Sequence, residues 1–259
     1  MKDLTDTLRK KLASDRVLLG THVFCGDTGI TECMAMTGYD IMWIDTEHTA
    51  IGGQRLLDCL IAARAGGTPT MVRIPWNDPV LAKPVLDMGP DVLLFPNVRN
   101  EKEAREAVRA CEYPPKGVRG FGPQRALEYG ALSQADYVLR AYRRMLRFIQ
   151  IEDIAAVENL ESICSVDGID GYIVGPNDLS ASLGHLDDPL HPEMLPIYDR
   201  IGETLRRRGK IFGAAFGYNS EVVKAWRARG AKILFCGSDI GHVYEGSVRT
   251  LERMRRDTK

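Results

Sequence analysis

Residues 147–184 read RFIQIEDIAAVENLESICSVDGIDGYIVGPNDLSASLG, and this stretch decides the fold. Two short apolar runs each end in polar chemistry. Phe148-Ile149-Gln150-Ile151 stops at Glu152, and Tyr172-Ile173-Val174 stops at Gly175-Pro176-Asn177-Asp178. Between them Ala156, Val157, Leu160 and Ile163 fall at helical spacing, which predicts a helix over 154–164. The unit is strand–helix–strand. If its strands are parallel neighbours, Glu152 and Asp178 leave the sheet at the same end. Two carboxylates there suit a divalent cation. Glu152 as a helix cap and Asp178 as part of a loop turn fit the spacing as well.

Working outward, the same alternation continues on both sides. Upstream, 17–24, 40–44, 70–74 and 92–95 read as strands, and 28–37, 53–65, 80–87, 101–111 and 134–144 as helices, after a lead-in helix at 4–14. Downstream, 210–215 and 232–235 are strands, 196–208 and 220–229 are helices, and a last helix runs to the C-terminus. The strands are apolar without clean alternation, as in a parallel sheet covered on both faces. Eight strand–helix units in 259 residues predict an α/β chain folded as one (β/α)8 TIM barrel over 1–259. The rival is a doubly wound open sheet. No GxGxxG follows the first strand and no GxxxxGK[ST] occurs, so neither phosphate-binding loop is indicated. Only 112–133, rich in Pro and Gly, lacks a pattern; a loop of that length in a domain is functional or disordered.

The formal charge of −1 gives no field for nucleic acid or a membrane surface. The basic tail at 249–259 alternates with Leu251 and Met254 and reads as a solvated helix face. None of the six cysteines forms a CxxC pair. No signal peptide is legible and no apolar run is long enough to span a bilayer, so a cytoplasmic location is expected.

Barrel enzymes work at the C-terminal ends of their strands. Those ends here carry Asp45, Glu47 and His48; Arg73; Asn97; Gln150 and Glu152; Asn177 and Asp178; Ser238 and Asp239. Glu152 and Asp178 offer hard oxygens for Mg2+ or Mn2+. A 2-oxo acid would chelate such an ion through its carboxylate and keto oxygens, with Arg73 stabilising enolate and carboxylate charge. His48 is the best base, with Asp87 a candidate to orient it. Asp45 is expected, with Arg73, to bind substrate. Each residue also has a plainer reading: His48 as a hydrogen-bonded loop histidine, Arg73 as a structural partner of Asp45 or Glu47, and Asp45 as a cap or a holder of Arg73 that does not touch substrate. His22, His185, His191 and His242 show no partner pattern, and the tryptophans read as packing.

At these residues the chain resembles the HpcH/HpaI family of metal-dependent pyruvate aldolases. The segments that carry the resemblance are Ile44-Asp45-Thr46-Glu47-His48, Val72-Arg73-Ile74-Pro75-Trp76-Asn77-Asp78, Leu86-Asp87-Met88-Gly89, Tyr113 to Gly120, Gln150-Ile151-Glu152 and Gly175-Pro176-Asn177-Asp178-Leu179-Ser180, in order over residues 17–240. The resemblance implies a (β/α)8 barrel of the phosphoenolpyruvate/pyruvate type with its last helix exchanged between partners, and dimers assembled into a homohexamer. It implies a divalent metal (Mg2+ or Mn2+, with Co2+ possible) on Glu152 and Asp178, and a His48–Asp87 acid/base dyad. It also implies that Arg73 and Gln150 bind pyruvate and that the Asn177 N–H meets its carboxylate. The implied reaction is reversible cleavage of a 4-hydroxy-2-oxo acid to pyruvate and an aldehyde through a metal-bound enolate. The chain departs from the family pattern at Thr46 (commonly Gly), at Asn177 (commonly Ala) and around Thr21-His22 (commonly Trp), all at the pocket rim. Alternatives on the same scaffold are oxaloacetate decarboxylation, CoA-thioester lysis of the citrate-lyase type, and a non-enzymatic keto-acid-binding barrel.

Overall fold

Asp3 caps the first helix, α1 (Leu4–Ala13), by accepting the Asp6 N–H at 2.9 Å. The computed structural model describes residues 3–141, 144–186 and 188–259. Alternation begins with β1 (Leu18–Val23), α2 (Thr28–Ala35), β2 (Ile41–Asp45) and α3 (Gly53–Ala65). It continues through β3 (Thr70–Arg73), α4 (Pro79–Met88), β4 (Val92–Phe95) and α5 (Glu101–Cys111). After α6 (Gln134–Ala141) come β5 (Leu146–Ile151), α7 (Ile154–Glu158), α8 (Leu160–Cys164) and β6 (Gly171–Val174). The last third is α9 (Pro176–Ala181), α10 (Met194–Arg207), β7 (Phe212–Phe216), α11 (Ser220–Ala228), β8 (Ile233–Ser238) and α12 (Asp239–Asp257).

The eight strands pair in parallel in chain order, and β1 closes on β8 with Leu18 beside Ile233. This is the (β/α)8 barrel, not the open sheet. Every residue of β2 through β6 is buried, which explains the unbroken apolar runs. The core has two parts. Inside the barrel lie Trp43, Met71, Leu94, Phe148, Ile173 and Phe235, and Leu8 and Leu12 of α1 pack on this cluster. Between strands and helices lies the larger layer, with Leu56, Leu60, Val85, Ile163 and Leu205 among its members. The interior is filled by large rings opposite glycines: a Cβ on Gly20 would sit 2.4 Å from the Phe235 ring, and one on Gly171 2.5 Å from the Phe148 ring.

The structure differs from the expected elements in a few places. The helix over 154–164 is broken at Asn159 into α7 and α8. The segment after β6, which reads as a turn, is a one-and-a-half-turn helix, α9, begun by Pro176. Strand β8 runs on to Ser238. The expected helix over 134–144 is described to Ala141, and Tyr142 and Arg143 lie outside the described residues. Asp187 also lies outside them. The irregular stretch 112–133 is pinned to α4: Arg119 Nη2 donates to Asp87 at 3.0 Å, and Arg125 donates to the Met88 carbonyl. No described helix is long and apolar enough to cross a membrane.

Candidate active site

Parallel pairing sets Asp45 beside Arg73 at the ends of β2 and β3. Their side chains form a two-point ion pair, with Arg73 Nε to Asp45 Oδ1 and Nη2 to Oδ2 both at 2.8 Å. The third guanidinium nitrogen, Nη1, lies 2.9 Å from Glu47 Oε2. Two of its five N–H groups are thus hydrogen-bonded, both to Asp45, while Glu47 Oε2 meets the guanidinium as an ion pair and has no hydrogen-bond partner among the described residues; three N–H groups are left for a ligand. The Asp45 side chain is 0% exposed, and its oxygens also take the Glu47 and His48 N–H groups at 3.1 and 3.3 Å. It therefore orients Arg73 and the 47–48 backbone and offers no oxygen to solvent, which departs from the expectation that it binds substrate. Burial alone would raise the Asp45 pKa, but the Arg73 hydrogen bond and charge overcome it and hold it below the usual range.

Glu152 leaves β5 into a buried position where the Asn97 N–H donates to its Oε1 at 2.6 Å. Asn97 adopts φ 57°, a left-handed conformation, to aim that N–H. Gln150 Nε2 donates to the other oxygen, Oε2. The Gln150 Oε1 is buried without a hydrogen-bond partner among the described residues. Burial, followed by the charges of Glu47 and Asp178, pushes the Glu152 pKa up to about 7. Gly175 makes room for the pair: a Cβ there would lie 2.7 Å from Gln150 Nε2 and 3.2 Å from the Glu152 Cβ.

Two adjoining cavities share this rim. The first, about 520 Å3, is lined by His22, Trp43, Arg73, Gln150, Asn177 and Asp178, among others. The second, about 330 Å3, is lined by Glu47, His48, Asn97, Glu152 and Asp178. Asp178 and His48 border both. Four carboxylates (Asp45, Glu47, Glu152 and Asp178) thus gather around one arginine. Arg73 answers Asp45 and Glu47, while Glu152 and Asp178 hold hard oxygens at a water-accessible cavity. This donor set, with the unpartnered Gln150 oxygen beside it, fits a divalent cation and its water.

His48 is 63% exposed, and its Nε2 lies 3.6 Å from Glu47 Oε2. Asp87, expected beside it, makes no hydrogen bond or ion pair to it within the chain; it is engaged by Arg119, which in turn donates to the Tyr137 hydroxyl at 2.9 Å. Three contributors escape a linear reading. Glu47 was one acid among several at its strand end, the Asn97 N–H is a backbone group, and His22 enters through barrel closure. Its Nδ1 lies 2.9 Å from the Gly237 carbonyl. Away from the rim, His185, His191 and Glu193 also come together. The two imidazoles stack face to face at 3.7 Å, so their nitrogen lone pairs run side by side and do not converge on one ion.

Fold and rim together define a (β/α)8 barrel with an acidic, cation-ready mouth. A model of the HpcH/HpaI aldolase/citrate lyase family matches residues 22–245. The chain belongs to that family and is a carbon–carbon lyase. It is 33% identical to a hydroxypyruvate/pyruvate aldolase of Roseovarius nubinhibens, over 98% of both chains. It is 36% identical to a 4-hydroxy-2-oxo-heptane-1,7-dioate aldolase of Shigella sonnei, over 91% of this chain and 90% of that one. An HpcH/HpaI aldolase/citrate lyase family protein of Burkholderia cenocepacia superposes with a TM-score of 0.90 at 29% identity, covering 97% of this chain and 99% of that one.

Proposed function

We propose that this chain reversibly cleaves a 4-hydroxy-2-oxo acid to pyruvate, or a close 2-oxo acid, and an aldehyde, with a divalent cation (Mg2+ or Mn2+, Co2+ also suiting the ligands) held by Glu152 and Asp178. The observation that carries this reading is the surplus of acid at the rim: after Arg73 has met Asp45 and Glu47, Glu152 and Asp178 have no cationic partner among the described side chains. The names of the two aldolase relatives agree with the substrate class.

A bound cation supplies Lewis-acid stabilisation of negative charge on oxygen. The remaining work falls to the chain. The N–H groups of Arg73 that Asp45 does not take bind the keto acid and stabilise oxygen charge as the C3–C4 bond breaks. Asp45 fixes the guanidinium plane, so that stabilisation requires no reorganisation. His48 lies open to the cavity and takes the proton of the C4 hydroxyl, and the electron pair of the broken bond passes to the C2 oxygen. Glu47, tied to Arg73, sets the charge beside the imidazole. Within one chain Glu47 is the acid that faces His48; the Asp87 dyad implied by the family resemblance would have to be completed by another copy. The Asn177 N–H, in the first turn of α9, has no acceptor within that helix and suits a substrate carboxylate.

The homo-oligomer, with a hexamer as its specific form, belongs to the same reading. In α12 only Asp239 is buried, while Ile240, Val243, Tyr244, Leu251 and Met254 are exposed, Tyr244 at 70%. An apolar face of that extent is suited to a second copy. The direct test of the chemistry is pyruvate in D2O with enzyme and Mg2+ or Mn2+. Metal-dependent loss of the methyl proton signal is expected, and its absence with and without aldehyde would overturn the reading.

A further inference from the structure

We propose that His22 is a specificity-determining residue that selects substrates bearing a hydroxyl group, its Nε2 accepting that O–H inside the larger cavity. The proposal rests on the aldolase reading of the same cavity and names which partner molecules it favours.

The tautomer follows from geometry. Nδ1 lies 2.9 Å from the Gly237 carbonyl oxygen, which can only accept, so Nδ1 carries the proton. Burial, and secondarily the Arg73 charge, outweigh that hydrogen bond and lower the His22 pKa, so the ring is neutral at physiological pH. In a neutral imidazole with Nδ1 protonated, Nε2 is an acceptor. It has no hydrogen-bond partner among the described residues and is not one of the buried orphaned atoms, so it is open to the cavity that the ring lines.

The ring is held rigidly. It packs against Trp43 at 4.9 Å, Phe24 at 5.2 Å and Phe235 at 5.8 Å between ring centroids. The assembly also touches the chemistry, because the Arg73 guanidinium lies 5.0 Å from the Trp43 ring centroid. Trp43 therefore packs against both the arginine that meets the keto acid and the ring that carries the free acceptor, and all three line one cavity. Phe24, Ala215 and Phe216, which line the same cavity, are apolar. A hydroxyl placed against such a wall without an acceptor loses its hydrogen bond to water, whereas a methyl group loses nothing. A fixed acceptor in apolar surroundings thus discriminates a hydroxylated partner from its deoxy analogue.

The hydroxyl has two possible sources, the keto acid or the aldehyde, and paired substrates separate them. One arm compares hydroxypyruvate with pyruvate against a common aldehyde. The other compares glycolaldehyde with acetaldehyde against pyruvate. In His22→Phe the hydroxy/deoxy ratio of kcat/KM should fall roughly tenfold in at least one arm, and His22→Gln, which keeps an acceptor, should restore part of it. A fall confined to the first arm places the hydroxyl on the keto acid, and one confined to the second places it on the aldehyde. An equal loss on all four substrates, or no change in either ratio, overturns the proposal. If His22→Phe does not fold, calorimetric binding to the wild-type enzyme decides: equal affinity for the hydroxylated and deoxy members of both pairs is the overturning result. If no substrate pair gives aldol product, the aldolase reading fails on its own, and the same binding comparison still judges His22.

Discussion

Arg73 and Asp45 meet edge to edge, nitrogen to oxygen at 2.8 Å twice over, with the acid wholly buried beneath the base. The arginine's plane is therefore set by a neighbouring strand and is ready before any ligand arrives. In Asp45→Asn an NH2 donor replaces one carboxylate oxygen, so one of the two Arg73 bonds is lost, the N–H of Glu47 or His48 on that atom loses its acceptor, and the arginine loses its buried counter-charge. We expect kcat/KM to fall by about 100-fold, the usual effect of a misplaced binding group, with the far-ultraviolet circular dichroism retained. Arg73→Lys should fare no better, since an ammonium cannot hold the two-point geometry. Steady-state kinetics on a 4-hydroxy-2-oxo acid checks both, and wild-type rates in either variant would contradict the assigned role.

Removing the acids of the cation site should separate binding from folding. Glu152→Gln and Asp178→Asn are expected to lose Mn2+ binding, followed by electron paramagnetic resonance, and metal-dependent turnover. Glu152→Gln should also be no less stable than wild type without metal, because burial makes the carboxylate at that position unfavourable. Chelation of the wild-type protein should abolish activity, and Mg2+ or Mn2+ should restore it.

Gly175 has φ −101°, which any residue can adopt, so its identity is a matter of space. Gly175→Ala would push a methyl against Gln150 and Glu152. The expected result is a drop of at least roughly tenfold in kcat/KM with a small change in melting temperature. A variant with wild-type kinetics would show that the Gln150–Glu152 arrangement is dispensable.

Arg119 ties the irregular stretch to the barrel. It is buried, donates to Asp87 and Tyr137, and lies 4.8 Å from the centre of the Tyr113 ring. Arg119→Ala should cost about 2 kcal/mol, discounted because the Asp87 side chain is partly exposed. It should also open residues 112–133 to limited proteolysis at temperatures where wild type resists.

Acid stability offers a test far from the cavity. Asp40 accepts the Leu19 N–H at 3.1 Å and pairs with Lys11 at 2.9 Å and with Arg16. Burial would raise its pKa, but the Lys11 hydrogen bond, the Leu19 N–H and the two cations more than offset this, and the pKa is lowered. A carboxylate with a depressed folded-state pKa contributes stability above its unfolded value, near 4, and this is lost as pH falls through the folded value. Asp40→Asn should therefore lower the melting temperature at pH 7, by about 1 kcal/mol of stability given the exposure of Arg16. The difference from wild type should shrink below pH 4.

Much of this was legible in the linear chain because a buried parallel strand can hardly be anything but an uninterrupted apolar run. Strands such as 92–95 stand where the apolar runs put them, and their polar ends mark the rim. The short helix at 176–181 was not legible, because Pro-Asn-Asp serves equally as a turn and as a first helical turn. Asn159 splits its helix without a proline or glycine to announce it. The share of His22 in the cavity was out of reach for another reason: its partner Gly237 lies 215 residues away and becomes a neighbour only when the first and last strands meet. Asp87 shows the converse, a residue flagged by motif whose partner within the chain is Arg119.

The left-handed turn at Asn97 has a consequence for how this mouth can change. One oxygen of Glu152 is held by a main-chain N–H, and no exchange of side chains deletes a peptide group. Its direction depends on whether position 97 tolerates positive φ. Gly, Asn and Asp keep that geometry at small cost, while a β-branched residue does not. Variation at residue 97 thus works as a dial on the ligand's angle, leaving the acid and its charge in place. A library at this single position would sort by backbone preference, with side-chain polarity secondary.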